Sequence, residues 1–364
     1  MLLPERPDGS SEKEEYTDPA TGARILRLTH SVYNDKHAYY DVSPWSPDGS
    51  MIVFCSALPG EKASTAYVMD ADGTNIRKVG ESTTFGMHTG NFPCWAADGE
   101  SIYYRTHFGE GEERRHGTAR AFLDSGEVQF LPLAVRQVSM STGRLLETVS
   151  SPDAEVRGLF SYAADGTDKQ ALATLGQCVA LSPKRSDIGD APTNFQNCKW
   201  NADGDKALVV FIGGRDMGDR IAKEIYVVNA DGSDLHFVTA FNHHPIWHPN
   251  GEQIIYNGPD GLYLVNCDGT DNHKISDCGQ GHPSFSPDGS MMVTDGFGGE
   301  WRDKLITIDP TTGEWQALCS VPTVHGRSHE TGTHPHPCWA PDGKSIIYDS
   351  DETGHCQLYQ VFLD

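Results

Sequence analysis

WSPDGSMIVF (45–54) holds the pattern that decides the fold: an aromatic residue, a Pro-Asp-Gly turn and a run of strand formers. Asp-Gly supplies the positive φ of a tight hairpin turn, and the β-branched residues after it suit a buried strand. The pattern returns as WAADGESIYY (95–104), WNADGDKALVV (200–210), WHPNGEQIIY (247–256), FSPDGSMMVT (285–294) and WAPDGKSIIY (339–348). A second strand–turn–strand phrase alternates with it. It begins as YVMDADGTNIRKV (67–79) and recurs as VSMSTGRLLETV, FSYAADGTDKQAL, IYVVNADGSDLHFV, LYLVNCDGTDNHKI and LITIDPTTGEWQAL.

Two hairpins per repeat make a four-stranded antiparallel unit. The turn aspartates at 48 and 98 are 50 residues apart, and the turns at 203 and 250 are 47 apart. Four strands at that spacing are the signature of β-propeller blades. DPATGARILRL (18–28) is a second-type hairpin with no first hairpin ahead of it, and WAPDGKSIIY is followed only by the lone strand QLYQVFL. The N-terminal strand is therefore expected to complete the last blade. The reading is an all-β, seven-bladed propeller forming a single domain over residues 1–364, with six blades the alternative. Blade three (about 105–180) reads as degenerate, because the first phrase occurs six times. Segments 107–130 and 182–196 read as long loops, and no helical periodicity appears.

Composition narrows the function. The 364 residues hold 28 Lys plus Arg against 51 Asp plus Glu, a formal charge of −23. Nucleic-acid affinity comes largely from cationic neutralisation of phosphates, so a nucleic-acid partner is not expected. No apolar run approaches the ~20 residues of a membrane span, and no polybasic patch suggests a membrane surface. The N-terminal MLLPERPDGSSEKEE lacks a basic region followed by an apolar stretch, so it does not read as a secretory signal. Nine cysteines without a CxxC pair argue against a disulfide framework or a zinc ribbon and read as small core residues. The expected location is the cytoplasm.

Eleven of the sixteen histidines follow residue 235, and their place in the repeat is the telling feature. Seven positions before the turn glycine stand His244, His282 and His336 in blades five, six and seven, in HPIWHPNG, HPSFSPDG and HPCWAPDG. The same slot holds Asn197, Phe92 and Val42 in blades four, two and one. It lies at the start of each innermost strand, where a propeller presents side chains to the mouth of its channel. His334 adds a fourth imidazole, since alternate residues of an extended strand share a face. A lone His before Pro is commonly a turn residue; equivalent slots in three blades suit a divalent transition metal or catalysis.

The PDG hairpins combined with these slots and with THPHPCWAPDGKSIIYDSD resemble oligogalacturonate lyases, seven-bladed enzymes of pectin catabolism. The resemblance runs from YTDPATGARILRLT to the last blade. It implies a divalent ion, typically manganese, held by histidines and a glutamine. The matching positions here are His334 and His336 of HPH and His282 of blade six, while the glutamine position is Thr331, so His329, Glu330 or water would complete the set. It also implies His244 as the base and an arginine of blade four, Arg220 or next Arg215, against the substrate carboxylate. The reaction implied is β-elimination on a short oligogalacturonide through loss of the C5 proton, with a 4,5-unsaturated uronate as product. His37, Tyr39, Tyr40 and His88 precede the first hairpins of blades one and two, where they could line the same mouth. Three alternatives stand beside this reading: a non-catalytic TolB-like binding propeller, a peptidase propeller, and a lyase or epimerase acting on another uronide. The second requires a GxSxG elbow, which this chain lacks. Because a galacturonide is itself an anion, binding to a body of charge −23 calls for locally concentrated positive charge.

Overall fold

A computed structural model describes residue 6 and residues 9–61, 63–82, 93–109, 111, 114–151, 155–214, 220–241, 243–278, 281–296, 298–326 and 333–363. The chain divides into two compact units, Met1–Pro132 with Gly281–Asp364, and Leu133–Gln280. Every strand pairing is antiparallel, and the strands form seven sheets of four or five strands, as expected for a seven-bladed β-propeller.

Blades one, two, six and seven belong to the first unit. Blade one orders Asn34–Lys36, Met51–Ala57, Ser64–Asp70 and Arg77–Ser82; blade two orders Cys94–Trp95, Ser101–Phe108, Arg115–Phe122 and Val128–Leu131. Blade six orders Ser284–Phe285, Met292–Asp295, Lys304–Ile308 and Trp315–Ser320. In blade seven, Cys338–Trp339, Ser345–Ser350 and Gln357–Phe362 are extended by Arg24–Arg27 and Glu14–Thr17. Ile25 pairs with Val361 and Arg27 with Tyr359, so the N-terminal segment completes the last blade and adds a fifth strand. The apolar core lies between neighbouring sheets: Leu28, Trp45, Phe54, Ile347 and Leu358 join blades seven and one, and Val293, Leu305, Trp339 and Ile346 join six and seven.

The second unit holds the other three sheets. Blade three orders Val135–Val138, Leu145–Val149, Gly158–Tyr162 and Gln170–Thr174. In blade four, Thr193–Phe195 and Lys199–Trp200 both pair with Lys206–Gly214, followed by Arg220–Asn229 and His236–Ala240. Blade five orders His243–Trp247, Gln253–Asn257, Leu262–Asn266 and His273–Ser276.

The hairpin turns are fixed by local chemistry. In blade one Gly49 takes φ 73°, while the Asp48 carboxylate accepts from Ser46 Oγ (2.6 Å), Ser50 N (3.0 Å) and Ser50 Oγ (2.8 Å). Asp288 repeats the arrangement with Ser286 and Ser290. These donors hold both carboxyls down at about 2.

Three expectations are corrected. Segment 107–130 carries strands rather than a long loop, because Arg115–Phe122 pairs along its whole length with Ser101–Phe108 and Val128–Leu131 pairs with Arg115–Phe122 in turn. Its polar sequence conceals the strand: Arg120, only 9% exposed, bonds Ser101 Oγ and Asp98 Oδ2 and lies over the Phe122 ring. Blade three is complete, since VSMSTGRLLETV is its first hairpin with Ser-Thr-Gly in place of Pro-Asp-Gly. Segment 182–196 contains a short helix, Arg185–Ile188, and the strand Thr193–Phe195. The preceding helix, Leu175–Leu181, opens with a Thr174–Gln177 capping box; both helices are too short to show a period in sequence. All nine cysteines are free and buried, as expected. Among the described residues no helix is long and apolar enough to cross a membrane.

Candidate metal centre

The slot seven places before the turn glycine is a structural feature in its own right. In blade five the register advances from His243↔Asn257 to Ile246↔Ile255, three residues against two, a bulge that contains His244. In blade seven Asp349 N donates to Pro335 O while Cys338 pairs with Ile347, the same one-residue excess around His336. In blade four it falls between Phe195↔Phe211 and Lys199↔Leu208, around Asn197. His244, His336 and Asn197 accordingly take φ 50°, 47° and 48°. Left-handed backbone costs a non-glycine residue about 1–2 kcal/mol, and bulges of this kind re-aim side chains.

In the first unit, the innermost ends of blades six and seven bring three imidazoles together. His282, His334 and His336 each offer one nitrogen, and these nitrogens lie within 4.8 Å of one another. Ring centroids are 4.4 Å apart for His282–His336, 5.4 Å for His282–His334 and 5.7 Å for His334–His336. All three are buried, at 0%, 4% and 3% exposure. Metal–nitrogen bonds of ~2.1 Å span a sphere of ~4.2 Å diameter, so modest ring rotations bring the three nitrogens onto one ion.

Protonation favours the same use. Asp295, fully buried at the end of its strand, accepts from the His282 backbone N–H at 2.6 Å and from His282 Nδ1 at 2.9 and 3.1 Å. A carboxylate oxygen accepts, so Nδ1 carries the proton and Nε2 presents its lone pair. Nε2 of His336 is buried and makes no hydrogen bond among the described residues. Burial pushes the His336 imidazole well below the usual histidine range, and the neighbouring His282, His334 and His37 push it further. It is neutral at neutral pH, the form in which an imidazole ligates. Three buried imidazole nitrogens with a carboxylate behind one of them fit a divalent cation and leave coordination positions for oxygen ligands.

The remaining expected residues fall into three groups. His37 and Tyr40, read as substrate contacts, are both buried, at 4% and 2% exposure. Tyr40 lies 5.3 Å from His282, and Tyr39 packs edge-on to His336 at 4.7 Å, ring centre to ring centre. His37 Nε2 is 3.7 Å from the Asp349 carboxylate, and burial drives both toward their neutral forms, the His37 imidazole down to about 4 and the Asp349 carboxyl up. His244 and Arg220 belong to the second unit, both partly exposed, His244 on its bulge and Arg220 at the start of a long strand. Beside Arg220, Lys223 is pushed down to about 8 by burial first and by the Arg220 charge second. His329, Thr331, Glu330, Arg215 and His88 lie outside the described residues.

Two residues of the centre escaped the sequence reading. Asp295 follows the slot histidine by 13 positions, and the same offset leads to Asn257 from His244 and to Asp349 from His336, all buried polar residues within strands. That recurrence was the available signal. Gly281 is the other: a Cβ there would lie 2.0 Å from the Asp295 carbonyl oxygen, so glycine lets the two segments approach.

No family model matches the chain. A curated relative, the oligogalacturonate lyase of Dickeya dadantii, is 23% identical over 94% of this chain and 94% of its own length. An uncharacterized peptidase of Bacillus subtilis is 31% identical over 40% of this chain, which spans 22% of that protein. Among solved structures, the oligogalacturonate lyase of Vibrio parahaemolyticus superposes with a TM-score of 0.72 at 17% identity, covering 98% of this chain and 99% of the other. An oligogalacturonate lyase in complex with manganese gives 0.70 at 19% identity, covering 98% of both chains. The likeness to oligogalacturonate lyases thus runs the length of the chain, in sequence to one and in fold to the others.

Proposed function

We propose that this protein is a metal-dependent lyase that cleaves short oligogalacturonides by β-elimination, with manganese as the ion. The observation that carries the proposal is the buried cluster His282–His334–His336 with Asp295 behind His282. The full-length likeness to oligogalacturonate lyases, one of them solved with manganese, supports it.

The site makes chemical sense for a uronate. Elimination removes the weakly acidic C5 proton while negative charge accumulates on the C6 carboxylate; the C4–O glycosidic bond then breaks as the C4–C5 double bond forms, and the departing oxygen takes up a proton. A bound divalent ion supplies Lewis acidity to that carboxylate. His282, His334 and His336 would hold the ion, bringing no charge of their own, and Asp295 would offset only part of a dipositive charge. The remainder is the local attraction that an anionic sugar needs on a body of charge −23. His244 is the proposed base, taking the C5 proton on a ring nitrogen. Arg220 is proposed to engage a carboxylate through its guanidinium fork. These two roles rest on the repeat slot, on the blade-four placement and on the resemblance. A cytoplasmic location is part of the same proposal, and nine free, buried cysteines suit a reducing compartment.

The test is direct. Purified protein given manganese and short galacturonides should generate the ultraviolet absorbance of a conjugated 4,5-unsaturated uronate, and chelation should abolish it. If metal analysis finds no bound ion and His282→Ala retains full activity, the proposal is wrong. Turnover of another uronide in place of galacturonides would transfer the reading to a lyase of different specificity, and C5 inversion without absorbance would indicate an epimerase.

A further inference from the structure

Lys199, in the short innermost strand of blade four, is 1% exposed. A buried ammonium is costly unless it is hydrogen-bonded or paired, so a lysine at such a place requires a reason. Its Nζ donates to the carbonyl oxygen of Pro245 at 2.6 Å, one residue past His244. In the opposite direction, the indole Nε1 of Trp247 donates to the Lys199 carbonyl at 3.2 Å. Both bonds tie blade four to the bulged strand that carries His244, within the unit Leu133–Gln280.

The indole half of this link belongs to the repeat. Trp95 donates to Pro44 O at 2.9 Å, and Trp339 to Ser284 O at 3.1 Å. Pro44, Lys199 and Ser284 each stand two places after the slot of their own blade. The ammonium half is particular to blade four, because Pro44, Cys94, Ser284 and Cys338 occupy that place in blades one, two, six and seven. The lysine therefore adds a second bond to a general staple.

Blade five shares with blade seven a histidine in left-handed backbone directly before a proline, His244 at φ 50° and His336 at φ 47°, but only ahead of blade five does the preceding blade place a lysine, where blade six places Ser284. The proline ring fixes its own φ and crowds the residue ahead of it, which disfavours helical backbone there. A bond to the Pro245 carbonyl pins the remaining soft dihedral of Pro245, and with it the plane from which the His244 side chain departs. We propose that Lys199 is a positioning residue for His244: its buried ammonium holds the bulge that aims the imidazole. This rests on the reading of His244 as the base, although the placement of His244 can be tested without it.

The variant is Lys199→Met, which keeps the stem and removes the donor, with Lys199→Arg restoring a cationic donor. Two readouts are taken, turnover on manganese-loaded protein and NMR on protein loaded with diamagnetic magnesium, because paramagnetic manganese broadens nearby resonances. The first is turnover of a short galacturonide: Lys199→Met should lower kcat ~100-fold, the cost of misplacing a reacting group by about 1 Å. KM and manganese affinity should stay within about twofold of wild type, and Lys199→Arg should recover much of the loss. The second is the imidazole nitrogen NMR signal of His244, assigned by its disappearance in His244→Gln; it should move in Lys199→Met and return toward its native position in Lys199→Arg. Unchanged kcat with an unmoved signal overturns the proposal, and so does a parallel loss of kcat, KM, metal binding and melting temperature, the mark of a merely structural lysine. Should Lys199→Met fail to fold, Trp247→Phe against Trp95→Phe asks the same question: only the former should lower kcat and move the His244 signal, and equal effects overturn the proposal. If wild-type protein turns over no uronide, the lyase reading fails, and the NMR comparison alone decides whether Lys199 places His244.

Discussion

Asp295→Asn tests the metal centre at its least visible residue. In the structure one oxygen, Oδ1, accepts both the His282 backbone N–H at 2.6 Å and Nδ1 at 3.1 Å, while Oδ2 accepts Nδ1 at 2.9 Å. An asparagine keeps one oxygen, which the backbone N–H will claim as the shorter bond. Its NH2 group then faces the Nδ1 proton, donor against donor, in a place without solvent. His282 must shift its ring or move the proton to Nε2, the nitrogen needed for the metal. Loss of such a partner weakens metal affinity by about 10- to 100-fold, or about 1.4–2.8 kcal/mol. Manganese binding is followed by the electron-spin signal of the free ion and by the thermal stabilisation that the ion confers. At an ion concentration of about 100 times the wild-type Kd, binding stabilises the native protein by about 2.7 kcal/mol; with Kd raised about 100-fold the gain falls to about 0.4 kcal/mol. A variant that binds manganese with native affinity would refute the assignment of Asp295 as the group that orients His282. Wild-type protein that binds no ion would refute the centre itself.

Three further outcomes are expected. His244→Ala should reduce kcat for elimination by about 100- to 10,000-fold while manganese affinity is retained, measured by uronate absorbance and metal titration; equal loss of metal binding would place His244 among the ligands instead. Acid should destabilise the fold through His37: its buried imidazole is held down to about 4, against about 6.5 in the unfolded chain, so as pH falls the unfolded state takes up the proton first. The His37 contribution is complete above about 6.5 and is lost as pH falls toward about 4, a difference of about 2 kcal/mol by pH 5; urea unfolding at pH 7 and pH 5 should show a smaller loss in His37→Gln than in wild type, and equal losses would contradict the argument. Ile25→Ala should cost about 2–5 kcal/mol in urea unfolding, because Ile25 is 1% exposed, pairs with Val361 and packs in the core of blade seven; a change below about 1 kcal/mol would mean that the N-terminal strand is dispensable.

The blades were legible because each announces itself through a turn whose chemistry is local. Asp48 and Asp288 satisfy their own loop donors, so the phrase reads the same wherever it occurs. The Arg115–Phe122 strand was not legible, since its buried arginine is tolerated only through Asp98, Ser101 and Phe122, partners that folding supplies. The same division runs through the centre. A slot histidine can be counted from a glycine, but what the histidine does depends on what the following strand carries 13 positions later. Behind His282 that residue is Asp295, whose carboxylate accepts from Nδ1 and orients the ring. After His336 it is Asp349, whose carboxyl lies instead beside His37 and is driven by burial toward its neutral form. His336 thus remains a neutral donor without a carboxylate to protonate it. After His244 the position holds Asn257, an uncharged amide. The slot thus precedes different partners in different blades, a carboxylate behind His282 and an amide 13 positions after His244, and the roles proposed for these two histidines, ligand and base, differ with them.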